Sequence, residues 1–144
     1  MIAAGAGIAQ GRVEDMPVST LDLAPTFLDY AGAPPPLELQ GRSLRTLLQG
    51  GAESREVAYS EWHVHPSRCG VGLQLRTVRT KTHKCTFELG SNAGEIYDLV
   101  NDPHEMNNLF DDPGYRKVRN ELEALMRARP GKVLDDLPEP IGMA

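Results

Sequence analysis

The sequence predicts an α+β fold, a small antiparallel sheet of about four strands packed by a C-terminal helix and preceded by one strand and two helices. Three observations carry this. Apolar residues recur with a helical period before Gly50-Gly51, they alternate with period two after it, and an apolar stripe follows Asp112-Pro113.

In the first helix Ala24, Phe27, Leu28 and Ala31 recur at i, i+3, i+4 and i+7, which puts them on one face. Pro25 fixes its start. A residue without an N–H belongs in the first turn, where amides have no internal partner, so the cap lies no earlier than Asp22, and Gly32 closes the helix. Pro34-Pro35-Pro36 is a stiff linker. Ser43 then caps a short helix carrying Leu44, Leu47 and Leu48 up to Gly50-Gly51.

Strands follow from Val57 to Trp62, around Val71 to Arg76, from Lys84 to Leu89, and from Ile96 to Val100. Val71, Leu73 and Leu75 are expected on a dry face, with Gly72, Gln74 and Arg76 on the wet one. Cys85, Phe87 and Leu89 alternate likewise with Lys84, Thr86 and Glu88. The last two strands join across Gly90-Ser91-Asn92-Ala93-Gly94. In the final helix Asp112 caps, Pro113 starts, and Tyr115, Val118, Leu122, Leu125 and Met126 share a face. Glu123 and Arg127 pair at i,i+4, Pro130-Gly131 stops the helix, and the tail with Pro138 and Pro140 is loose. These signals divide the chain into residues 1–50, 51–130 and a flexible tail 131–144.

Composition narrows the function classes. Hydrophobic residues at 40% and charged residues at 24% are ordinary for a soluble globular chain, and no apolar run reaches the roughly 20 residues of a membrane span. With 15 basic and 20 acidic side chains, the net charge of -5 leaves no electrostatic footprint for nucleic acid. Two cysteines are too few for a disulfide framework. The opening Met1-Ile-Ala-Ala-Gly-Ala-Gly lacks the basic region and apolar core of a secretory signal, so any such signal is expected upstream, and the compartment stays open.

The segment Pro17-Val18-Ser19-Thr20-Leu21-Asp22-Leu23-Ala24-Pro25-Thr26-Phe27-Leu28-Asp29-Tyr30-Ala31-Gly32 resembles a stretch that sulfatases carry late in their catalytic domain. Gly41-Arg42-Ser43-Leu44, Val78-Arg79-Thr80 with Lys84, and Gly94-Glu95-Ile96-Tyr97-Asp98-Leu99 followed by Asn101-Asp102-Pro103, Glu105 and Asn107-Asn108-Leu109 continue the resemblance in that family's order. It covers roughly Gly11 to Met126 and is weakest from Trp62 to Gly70. Thr82 and His83 stand where sulfatases commonly have an arginine and a tyrosine before the lysine.

The resemblance implies that residues 1–50 are the end of an α/β catalytic domain, with its last strand and helices, and that residues 51–130 are the small C-terminal subdomain. Sulfatases use a formylglycine, made from Cys or Ser in C/S-x-P-S-R, and a calcium ion held by oxygen ligands. Both are expected upstream of the Leu21-Asp22-Leu23-Ala24-Pro25-Thr26 stretch, so this chain carries no cofactor of its own. His65-Pro66-Ser67-Arg68 contains Pro-Ser-Arg by coincidence, because Val64 occupies the nucleophile position.

Loops of the sulfatase subdomain border the mouth of the active site, which makes His63, His65 and Arg68 candidates for substrate contact. Arg79 and Lys84 compete for that role, although their strand positions suit structural ion pairs better. His63, His65, Cys69, His83 and Cys85 could be imagined as a zinc site, but their spacing is irregular, and a wet loop with a buried thiol explains them. Asp98, Asp102 and Glu105 read as turn formers rather than calcium ligands.

The expected function is the C-terminal portion of a sulfuric ester hydrolase, inert alone, with a missing or separately encoded N-terminal catalytic domain as partner and a sulfate ester as substrate of the whole. Two alternatives stand beside it, a phosphonate or phosphate ester hydrolase of the same superfamily and a free-standing interaction module, zinc-binding through the His and Cys residues.

Overall fold

A computed structural model describes residues 1–35 and 39–129, with the side chains of residues 68 and 69 outside the description. Ser19 opens the helical segment. Its hydroxyl accepts from Leu21 N at 3.3 Å while the Asp22 carboxylate accepts from Ser19 N at 2.8 Å, a reciprocal cap over the 3₁₀ turn Thr20–Asp22. Helix α1, Leu23–Ala31, starts directly after Asp22, with Pro25 in its first turn. It ends at Gly32, whose φ of 66° is the left-handed value that glycine adopts without a Cβ clash. Helix α2, Arg45–Leu48, begins beside Ser43, whose hydroxyl accepts from Arg45 N at 3.1 Å.

Two expectations for this half are corrected. No strand forms among residues 1–35 or 39–50; the chain before Ser19 runs without a sheet partner, and a strand is stable only when its backbone groups are paired. The face of α1 turned inward is also not the apolar one. Pro25 and Thr26 are buried and Leu28 half-buried, whereas Phe27 is 67% exposed and Ala24 and Ala31 lie outside. Hydrogen bonding decides that rotation, because Thr26 Oγ1 donates to Asp22 O at 2.5 Å and accepts from Leu44 N at 2.9 Å, fastening α1 to the loop before α2.

The second half is an antiparallel sheet in the order β1 (Val57–Val64), β2 (Leu73–Thr80), β3 (His83–Glu88), β4 (Gly94–Asp98), with a one-turn helix α3 (Pro66–Cys69) between β1 and β2. Helix α4, Arg116–Arg127, packs on one face, entered through a 3₁₀ turn that Asp112 caps by accepting from Gly114 N at 2.8 Å. Val78, Cys85 and Ile96 stand opposite one another on β2, β3 and β4, are fully buried, and meet Phe87, Phe110, Leu122 and Met126. Burying each large apolar side chain contributes about 1.5–3 kcal/mol, so this cluster, rather than the Glu123–Arg127 pair on the surface, decides the stability of α4.

The alternation along β2 is inverted from the expected one. Arg76, expected wet, is opposite Phe87 on the core face and 1% exposed, while Leu73 and Leu75 lie on the other face beside Val64 and Trp62. A carboxylate compensates the buried guanidinium. Glu61 Oε1 lies 3.5 Å from Arg76 Nε and accepts from Arg129 Nε at 2.8 Å, so two arginines from different elements share one acid. The expected stop at Pro130-Gly131 and the tail 131–144 fall outside the described residues.

Candidate functional site

The candidates His63, His65 and Arg68 fall on one corner, where β1 hands over to α3. His63 is exposed, opposite Gln74 near the end of β1, and His65, two residues on, caps the α3 turn. Pro66 supplies the first helical position and Gly70, at φ 81°, closes the turn with its N–H on Pro66 O at 2.7 Å. The backbone of Arg68 lies inside α3; its side chain is outside the described residues. One imidazole, His63, thus stands near the end of β1 and the other, His65, caps the turn that the Pro-Ser-Arg string forms.

His65 Nδ1 lies 3.0 Å from Ser67 Oγ, a distance that invites reading a serine nucleophile with its base. The bonding argues otherwise. Ser67 N donates to the same Nδ1 at 3.3 Å, so the amide and the hydroxyl of Ser67 share one acceptor inside the turn that His65 caps. The arrangement is a helix cap, suited to presenting a ring and not to attacking an ester.

The competing residues have structural partners. Arg79 and Lys84 converge on Glu105, Arg79 at 3.6 Å, and Lys84 also lies over the Tyr97 ring at 5.7 Å. The imagined zinc ligands are set apart. His83 sits against Tyr115 and Thr82 about 20 Å along the strands from His63, and Cys85 is fully buried in the core, its thiol pushed up to about 12 by burial. Among the described residues no three His, Cys, Asp or Glu side chains form a metal-binding group.

The acidic residues fit turns better than a calcium ion. Asp98 Oδ1 accepts from Val100 N and Asn101 N, each at 3.0 Å, and Oδ2 from Asn101 Nδ2 at 2.8 Å and Tyr115 OH at 3.3 Å. Those donors, the Asn101 amide first, hold its carboxyl down to about 2. Asp102 accepts from Asn107 N at 2.8 Å, and Asn108 Oδ1 takes both Ile96 N and Phe110 N at 3.0 Å. Asp98, with four donors on its two oxygens, does not fit calcium, which needs those lone pairs.

Sequence reasoning missed a buried and heavily bonded group. Asp22, 1% exposed, accepts from Ser19 N, Arg42 N at 3.1 Å and both terminal nitrogens of Arg55. Burial alone would raise its carboxyl, but Arg55 and the two amides more than offset that and leave it below the ordinary range. It borders a cleft of about 740 Å³ between Ser19–Asp22, the outer side of β1 and Arg129. Gly41 is required there, because a Cβ would stand 2.0 Å from Leu21 O. The available signals were the Ser19-x-x-Asp22 spacing and Gly41-Arg42. With all its lone pairs engaged, Asp22 is a fastening between segments.

Residues 1–130 match the family described as N-sulphoglucosamine sulphohydrolase, C-terminal. The Delta 4,5-hexuronate-2-O-sulfatase of Bacteroides thetaiotaomicron is 39% identical over 130 residues, 87% of this chain and 27% of that protein. The solved structure of a 2-O GAG sulfatase superposes with a TM-score of 0.80 at 38% identity, covering 92% of this chain and 29% of that one. A phosphonate monoester hydrolase of Agrobacterium radiobacter gives 0.61 at 28% identity over 74% of this chain and 24% of that one. The chain therefore spans about a quarter of the length of these relatives.

Proposed function

The chain belongs to the N-sulphoglucosamine sulphohydrolase C-terminal family, within the sulfatases, and from that premise we propose that it serves as the C-terminal portion of a sulfated-saccharide hydrolase and has no turnover alone. One observation carries the reading. The family match runs through the helical segment and the sheet together, over residues 1–130, while the same stretch makes up only 27% of a sulfatase relative.

In this reading residues 1–50 complete an α/β catalytic domain and residues 51–130 form the subdomain that supports it. The exposed Phe27 face of α1 packs against that domain. His63, His65 and Arg68 border the substrate pocket from the β1–α3 corner. Formylglycine and calcium are assigned to the catalytic part, as the family resemblance implies. A sulfate ester of a sugar is the substrate class, in line with the named activities of the relatives.

The phosphonate monoester hydrolase likeness favours a second reading, in which the whole enzyme cleaves a phosphonate ester. Both are tested by extending the gene upstream and comparing turnover of aryl sulfate and aryl phosphonate by the longer product. An in-frame C/S-x-P-S-R and a preference for sulfate are expected. A phosphonate preference would select the second reading, and an upstream region without any nucleophile motif would reject the first.

A further inference from the structure

The hydrogen bond that closes the β1–α3 corner also fixes where the His65 ring carries its proton. A backbone N–H only donates, so the Ser67 amide, 3.3 Å from Nδ1, requires a bare lone pair on that nitrogen, and the Ser67 hydroxyl at 3.0 Å is then a second donor to it. A neutral imidazole with Nδ1 bare has its hydrogen on Nε2. The turn that imposes this is held at both ends, by the fixed φ of Pro66 and by the Gly70 N–H on Pro66 O at 2.7 Å. Nε2 is the ring nitrogen that the turn leaves unbonded, and His65 is exposed.

We propose that His65 is a fixed hydrogen-bond donor, positioned by the Ser67 amide, and that it takes an acceptor oxygen of a sulfated saccharide. The second half of this statement rests on the reading of the chain as part of a sulfated-saccharide hydrolase; the first half does not. A ring held this way offers Nε2–H to a sulfate or hydroxyl oxygen and gives the ligand no acceptor. It discriminates for oxygens and against donors such as an ammonium group. Ser67 acts through His65 and is a positioning residue.

The proton position is read from long-range 1H–15N correlations of the imidazoles in the 144-residue chain, at a pH where the rings are neutral. The His65 signals are identified by their loss in His65→Gln. A single Nε2–H tautomer is expected, kept in Ser67→Ala, which retains the amide, and relaxed in Pro66→Gly, which loosens the turn. A wild-type His65 with the same tautomer mixture as exposed His104 would overturn the proposal.

Recognition is read in the full-length hydrolase. His65→Phe, which removes the donor, is expected to raise KM for a sulfated monosaccharide about tenfold with kcat changed less, and His65→Gln, which keeps one, to recover part of it. A KM unmoved by His65→Phe would overturn the recognition half. A full-length protein inactive on every sulfate ester would count against the hydrolase reading instead, with the proton position still decided by the spectra.

Discussion

Asp22 and Arg55 meet as a two-point ion pair across the junction between the helical segment and the sheet, with both side chains buried. The same carboxylate holds the Ser19 and Arg42 amides, so a single side chain fastens three stretches of chain to one another. Removing one partner would strand a buried charge. Arg55→Ala is expected to lower the unfolding free energy by about 3–5 kcal/mol, measured by urea denaturation. Amide exchange should accelerate first in residues 17–31, and a loss spread evenly over the sheet would show that the pair does not hold the junction.

Acid should weaken the β4 end of the sheet through Asp98. Its carboxyl is held down to about 2, by the Asn101 side chain before the backbone amides, whereas an unfolded aspartate titrates near about 4. A depressed folded value means that the stabilising contribution is present above the unfolded value and is lost as pH falls from about 4 towards 2. Glu88, held down to about 2 first by the Ser91 hydroxyl, acts in the same window and sense. The melting temperature of Asp98→Asn should fall less steeply below pH 4 than that of the parent, and parallel curves would remove Asp98 from the account.

The outer face of α1 should make the isolated chain adhesive. Phe27 on α1 is 67% exposed and Leu21 in the turn before it 56%, large apolar side chains left open to solvent among the described residues. Phe27→Ser is expected to reduce hydrophobic-dye binding and concentration-dependent association while changing stability by no more than about 0.5 kcal/mol. A marked loss of stability would mean that the ring already packs inside this chain.

The elements legible in the sequence were those whose signals are local. The Asp112-Pro113 start, the Gly32 stop, the Cys85/Phe87 alternation and the stripe from Val118 to Met126 each depend on neighbours a few residues apart, and each forms as expected. The failures were set by distant partners. Arg76 turns inward because Glu61 on another strand meets it, and α1 turns its apolar face outward because Thr26 bonds to Leu44 N. Periodicity cannot register either cause. At the candidate site the closeness of His63 and His65 along the chain was legible, whereas the departure of His65 from the strand to cap α3 through the Ser67 amide depends on a turn that the Pro-Ser-Arg string concealed.

The central claim is that this polypeptide supports a catalytic centre built elsewhere, and aryl-sulfate hydrolysis by the purified chain tests it most directly. Release of the aryl product should not exceed that from a heat-killed control at any calcium concentration. Saturable turnover that co-purifies with the chain would contradict the claim.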